Sequence, residues 1–252
     1  MRDQLVHAGL RIPSNSSTKY LERVGVDFDQ RLGGNCVYQL GHMLDMLGPG
    51  AIERADILTS NTGGVLHYAA VVQDGRDEYY LDPYLMHTEP VKIADIFRGG
   101  VMVEAFPIGN KVAFQHTGAN TFQATLYRPS TGVQFDEVRR YQFDLDQAYD
   151  DFPPFEEYAT PNPSKMSMRV ISPTADELMM LHYHLHTAGM NIVRYHSSGK
   201  TENVRQKGQP DVFEHHLQRM ASMVLLSKGK IYDGLYQAQY YATEGYWSRI
   251  NE

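Results

Sequence analysis

Apolar and polar positions along this chain change period twice, and the changes mark out its elements. Over residues 36–47 the apolar side chains Val37, Leu40, Met43, Leu44 and Leu47 recur at the three-and-four spacing of an amphipathic helix. Ser16-Ser17-Thr18 supplies a cap for a short helix over Lys19–Val24, so the chain reads as helical to about Leu47. From residue 54 onward the period drops towards two. The runs Arg54–Thr59, Leu66–Gln73, Glu78–Leu81, Val101–Ala105, Val112–His116 and Thr121–Tyr127 predict strands, with a helical turn at Asp95-Ile96-Phe97. Glycines such as Gly75, Gly109 and Gly118 punctuate them. Short strands closing on one another predict a small barrel or strongly bent sheet, packed against the helix that begins at residue 36.

After Phe135 the pattern alternates. Val138–Leu145, Ser167–Ser172 and Met190–Ser197 predict strands, and Asp211–Leu226 predicts a helix through Phe213, Leu217, Met220 and Val224. The stretch Ala175–Ala188 fits either element, and Asp146–Glu157 is acidic and broken by proline. Tyr232–Trp247 carries five tyrosines and the tryptophan, and reads as a packing tail or an aromatic cover. The expected fold class is α+β: N-terminal helices carrying the nucleophile, a central antiparallel β-barrel or bent sheet, and a C-terminal α/β lid. The expected domains are residues 1–53, 54–134 and 135–252.

The chemistry gathers at three of these elements. Cys36 is the only cysteine, and it opens the amphipathic helix. A thiol in the first turn of a helix meets unpaired backbone N–H groups and the positive end of the dipole, both of which favour thiolate. His67 lies in the second expected strand and Asp82 closes the third. Taken singly, each has a plain explanation: a buried small hydrophobe, a half-buried strand histidine, and an aspartate before Pro83 ending a strand. Their combination points elsewhere. The fifteen residues from His67 to Asp82 are the length of a strand, a turn at Asp74-Gly75 and a returning strand. Such a hairpin sets an orienting carboxylate beside a histidine base.

The order of glycine pair, cysteine, helix, strand histidine, hairpin and aspartate resembles the arylamine N-acetyltransferase family. That family carries Arg-Gly-Gly-x-Cys, then a histidine, then an aspartate fifteen residues later. Gly33-Gly34-Asn35-Cys36 and the His67–Asp82 interval match it. So do Arg139-Arg140-Tyr141-Gln142-Phe143-Asp144-Leu145, Asp151-Phe152 and Thr160-Pro161-Asn162-Pro163-Ser164-Lys165. The matches run as scattered motifs from about Tyr20 to about Leu226. The resemblance implies a Cys36-His67-Asp82 triad and ping-pong transfer of an acyl group from a thioester to a small amine, with no permanently bound cofactor. The acyl donor would be acyl-CoA or an acyl carrier protein, and Tyr84 and Leu85 would bind substrate. Departures bear on the substrates. Leu32 stands where the family has arginine, Tyr38 and Leu40 replace its Glu and Asn, and Pro83-Tyr84-Leu85-Met86 replaces its Gly-Phe-Gly. They favour a bulkier donor, as in amide synthases of natural-product biosynthesis. A papain-like or transglutaminase-like hydrolase, and an inactive binding protein on the same scaffold, remain open beside this reading.

Composition narrows the classes. At 42% hydrophobic and 21% charged, the chain has the make-up of a globular protein. A single cysteine precludes an internal disulfide and suits a reducing compartment. The opening residues lack a signal-peptide core, and no run is apolar enough to span a bilayer, so a cytoplasmic protein without membrane association is expected. A net charge of −7 argues against nucleic acid as partner. Two further clusters stand out. His182, His184 and His186 alternate and read first as a solvated strand face, with a metal site as the sharper alternative. Arg194, Lys200, Arg205 and Lys207 form the main basic stretch. It reads as an exposed loop or as a landing site for the phosphate of CoA or a carrier's phosphopantetheine.

Overall fold

A computed structural model describes residues 13–15, 18, 27, 29–47, 55–62, 65–107, 109–129, 135–149, 165–172, 174, 176–196 and 198–243. The alternating runs fold as thirteen strands among these residues, all pairing antiparallel. Contacts group the chain into two compact units, residues 1–10 with 36–154, and residues 11–35 with 155–252. Among the described residues the second unit is assembled from discontinuous stretches.

The first strand in chain order, β1 (Ser14–Asn15), belongs to the second unit. The first unit opens with helix α1 (Cys36–Leu47), which buries Val37, Leu40 and Met43 as its period requires. A four-stranded meander follows: β2 (Ala55–Thr62), β3 (Val65–Asp74), β4 (Asp77–Leu81) and β5 (Val91–Lys92). Helix α2 (Ile93–Gly99) leads to a second meander of β6 (Val101–Ala105), β7 (Asn110–Gly118), β8 (Thr121–Pro129) and β9 (Phe135–Asp144). The two sheets share one core, with Leu58, Val71, Tyr80, Ile96, Phe114, Phe122 and Phe143 buried together. They also touch through the Gln142 N–H, which donates to Ser60 Oγ at 3.0 Å, and beyond β9 the backbone of Tyr149 pairs with that of Ile57.

In the second unit β1 pairs with β10 (Lys165–Ile171), followed in order by β11 (Glu177–His184), β12 (Gly189–His196) and β13 (Thr201–Arg205). Alternation sends Met168, Val170, Met179, Leu181, Tyr183, Ile192 and Val204 to one face. There they meet Phe213, Leu217 and Met220 of α3 (Pro210–Met223), and Ile231, Leu235 and Ala238 of α4 (Lys228–Thr243).

The expected fold class is corrected by this architecture. Sheet dominates, and no closed barrel forms among the described residues. Closure needs the first and last strands of a sheet to pair. The two sheets of the first unit instead end at β2 and β5 and at β6 and β9. The reason is local: β5 is two residues long and runs directly into α2, so the chain leaves the first sheet before it can curl round. The helical N-terminus is also corrected. Ahead of α1 the described residues hold strand β1, a helical position at Thr18 and a 3-10 turn, Gln30–Leu32; the helix expected over Lys19–Val24 lies outside the described residues. In place of an α/β lid, the C-terminal stretch builds an antiparallel sheet with two helices on one face. Residues 201–205, read as loop, form β13, whose only core-facing apolar signal is Val204. Among the described residues no helix is long and apolar enough to cross a membrane.

Candidate active site

The glycine pair ahead of Cys36 has a steric cause. Gly33 sits at φ 75°, and a Cβ there would lie 2.0 Å from the Pro13 carbonyl oxygen. That close approach lets the Gly34 N–H reach Pro13 O at 3.3 Å, while the Asn15 N–H donates to Gly34 O at 2.7 Å. Arg31, one place before the position where the resemblance expects arginine, grips Asp29 at 2.6 Å and donates to the Leu225 carbonyl at 2.7 Å. Leu32 is buried in the core of the second unit. Cys36 then begins α1 and is partly exposed.

His67 and Asp82 are brought together by the β3–β4 hairpin. Its two-residue turn is Gly75-Arg76, with Gly75 at φ 65°, the positive value that tight hairpin turns demand. The register Ala70↔Leu81 and Val71↔Tyr80 sets Tyr80, Asp82 and His67 on the face that carries Ala69 and Val71 into the core. The result is an ion pair of 2.7 Å between His67 Nε2 and Asp82 Oδ2, both side chains almost wholly buried.

Every lone pair that the carboxylate turns inward is answered. Oδ2 also accepts from the Tyr80 hydroxyl at 2.8 Å, and Oδ1 accepts the N–H groups of Tyr84 at 2.8 Å and Leu85 at 3.2 Å. A buried carboxylate so satisfied stays ionised. Burial presses the Asp82 acid upward, yet the His67 charge and the hydrogen bonds of His67 and Tyr80 hold it below the ordinary carboxylate range. The imidazole shows the converse balance. Burial pushes His67 down, but the Asp82 charge and hydrogen bond, with the nearby Cys36 side chain, raise it to about 10. With Nε2 committed to Asp82, the nitrogen left for Cys36 is Nδ1.

Aromatic rings fix the imidazole plane. Tyr141 stacks on His67 at 4.0 Å between centroids and 24° between planes, and Tyr84 leans on it at 5.3 Å. The structure thus gathers Cys36, His67, Asp82 and Tyr84. Leu85 contributes its backbone N–H, while its side chain is fully buried in the core. Sequence reading missed Tyr80 and Tyr141 as neighbours of the pair. Tyr80 was detectable, since it stands two residues before Asp82 on one strand and so shares its face. Tyr141 comes from β9 in the other sheet and carries no such local signal.

The other clusters separate. His182 and His184 share the outer face of β11, whereas His186 lies in the turn beyond it. No group of three or more metal-ligating side chains gathers among the described residues. The basic stretch divides too: Arg194 pairs with Glu177 and with Glu202, Lys200 is exposed, and Arg205 and Lys207 line a cavity described below. Compared with known proteins, the chain matches no family model and no curated protein.

Proposed function

We propose that this protein is a cysteine-dependent acyltransferase that forms an amide by ping-pong transfer from an acyl thioester to an amine. One observation carries the reading: the only thiol of the chain lies close enough to an imidazole to influence its charge, and the Nε2 of that imidazole is locked 2.7 Å from a buried, fully hydrogen-bonded carboxylate. That is the relation of nucleophile, base and orienting group that covalent catalysis requires.

In the proposed cycle His67 accepts the Cys36 proton, and Asp82 holds the imidazolium. The thiolate adds to the acyl carbon of the thioester, and the oxyanion so formed meets backbone N–H groups at the start of α1, which have no intrahelical acceptor. Collapse expels the donor thiol, which takes its proton from His67. An amine then adds to the Cys36 thioester and gives a proton to His67. When the second intermediate collapses, the amide departs and the proton returns to Sγ. The tyrosines around the imidazole, Tyr84 and Tyr141, give the base apolar walls, which favours aminolysis over attack by water.

Intact-protein mass spectrometry tests the proposal. After brief exposure to acetyl-CoA, longer acyl-CoAs and acyl N-acetylcysteamine thioesters, wild type should gain one acyl mass. Cys36→Ala should gain none and remain folded. Thioester consumption yielding free acid as the sole product, even with amines present, would convert the reading to a hydrolase. An unmodified wild type with no donor consumed would leave the scaffold a binding protein.

A further inference from the structure

The second unit carries a site of its own on the face of its sheet turned away from α3 and α4. Register places Ser167, His182, Asn191 and Arg205 in one row across β10 to β13, with Asn203 in the next. A cavity of about 800 Å³ opens there, bounded by His182, His184, Asn191, Asn203, Arg205 and Lys207 and by the β11–β12 turn. That volume is within the range of small-molecule sites and far exceeds a bare inorganic ion.

Its charge runs against that of the chain. With a net charge of −7, carboxylates outnumber cations overall, yet no residue lining the cavity is Asp or Glu. In the same unit Arg194, Arg219 and Lys228 each hold a carboxylate. Arg205 and Lys207 hold none among the described residues. The polar side chains are ordered rather than loose. His184 Nε2 donates to Asn191 Oδ1 at 3.0 Å, and Asn191 Nδ2 donates to Asn203 Oδ1 at 3.0 Å. This relay leaves the Asn203 amide N–H groups as its terminal donors. His182 is anchored through Nδ1 to Ser167 Oγ at 2.9 Å, so Nε2 is the nitrogen left for a ligand.

We propose that this cavity binds a small phosphorylated organic molecule, with the phosphate between Arg205 and Lys207 and the body along the His182–Asn191–Asn203 face. Two cations with adjoining amide donors exceed what one carboxylate can use. They suit a phosphate monoester, with its nearly double charge and three acceptor oxygens. The proposal stands apart from the acyltransferase reading, because none of its residues takes part in that chemistry. His182 supplies an internal reporter. Burial, with the charges of Lys165 and His184, pushes it down to about 4, and a bound phosphate will move it up.

Calorimetry on the full chain provides the test, with AMP, ribose 5-phosphate and glycerol 3-phosphate as probes and adenosine as the uncharged control. At least one ester should bind while adenosine does not, and Arg205→Gln/Lys207→Gln should weaken that binding by about tenfold or more, as loss of charged hydrogen bonds implies. Both side chains are exposed, so circular dichroism should report an intact fold. The His182 ring protons should titrate at higher pH with the ester bound. The proposal fails if no ester binds below about 10 mM, if adenosine binds as well as AMP, or if the double substitution leaves binding unchanged.

Discussion

Asp82 Oδ2 is shared by two donors, His67 and Tyr80, and this sharing has a measurable consequence. The Tyr80 hydroxyl helps to keep the Asp82 acid low. Tyr80→Phe removes one hydrogen bond to a charged group and should cost about 1.5–3 kcal/mol of stability. It also raises the folded-state Asp82 value, so the acid limb of a pH–rate profile for acyl transfer should move to higher pH. An unmoved limb, with unchanged turnover, would mean that His67 and the backbone donors suffice. Much of this centre is legible in the residues. The fifteen-residue interval and the Asp74-Gly75 signal locate the hairpin, and the hairpin locates the pair. The stacking of Tyr141 is not legible, because no period in one strand reports which ring a second sheet lays against it.

Among the elements, β11 illustrates the limit of reading by period. Its sequence fits helix or strand, because Leu178, Met179 and Leu181 are apolar on both faces of a strand. What settles it is pairing on both sides, with β10 and β12. The start of the strand is pinned by Glu177, fully buried between Arg194 and Arg219, the latter at 2.6 Å. Two partly exposed arginines converging on one buried carboxylate tie β12 and α3 to β11. Glu177→Ala should lower the stability of the chain by about 2–3 kcal/mol, somewhat less than the cost of breaking a fully buried pair, since both arginines can rehydrate. Urea denaturation measures it, and a loss under about 0.5 kcal/mol would show the cluster to be an ordinary surface pairing.

For the molecule as a whole, the buried pair makes stability depend on pH in a stated direction. His67 is raised from its ordinary 6.5 to about 10 in the folded state. Its contribution is fully present below about 6.5, and is lost as pH climbs through the folded value. Asp82 is lowered, so its share is present above the ordinary carboxylate range and is lost as pH falls through its folded value. The urea midpoint should therefore decline between pH 7 and 9.5, below the range where tyrosines ionise. In His67→Gln that decline should flatten, whatever the starting stability. An equal slope in both proteins would place the folded-state His67 value near its unfolded one.

The sequence by itself determined the local and the near-local: α1 from its three-and-four period, most of the strands from their alternation, and the His67–Asp82 hairpin from its spacing and glycine turn. Each is settled within some twenty residues of chain, where side-chain period and turn chemistry act directly. Only the tertiary structure decided the rest. Whether short strands close into a barrel or stop as open sheets depends on where the chain departs, as it does at the two-residue β5. That residues 11–35 join residues 155–252, with β1 adding to β10, depends on pairing across more than a hundred residues. The aromatic wall of the imidazole and the carboxylate-free cavity of the outer sheet face share that origin. Both are made of residues whose nearness is fixed by strand register and sheet packing, on which the local pattern is silent.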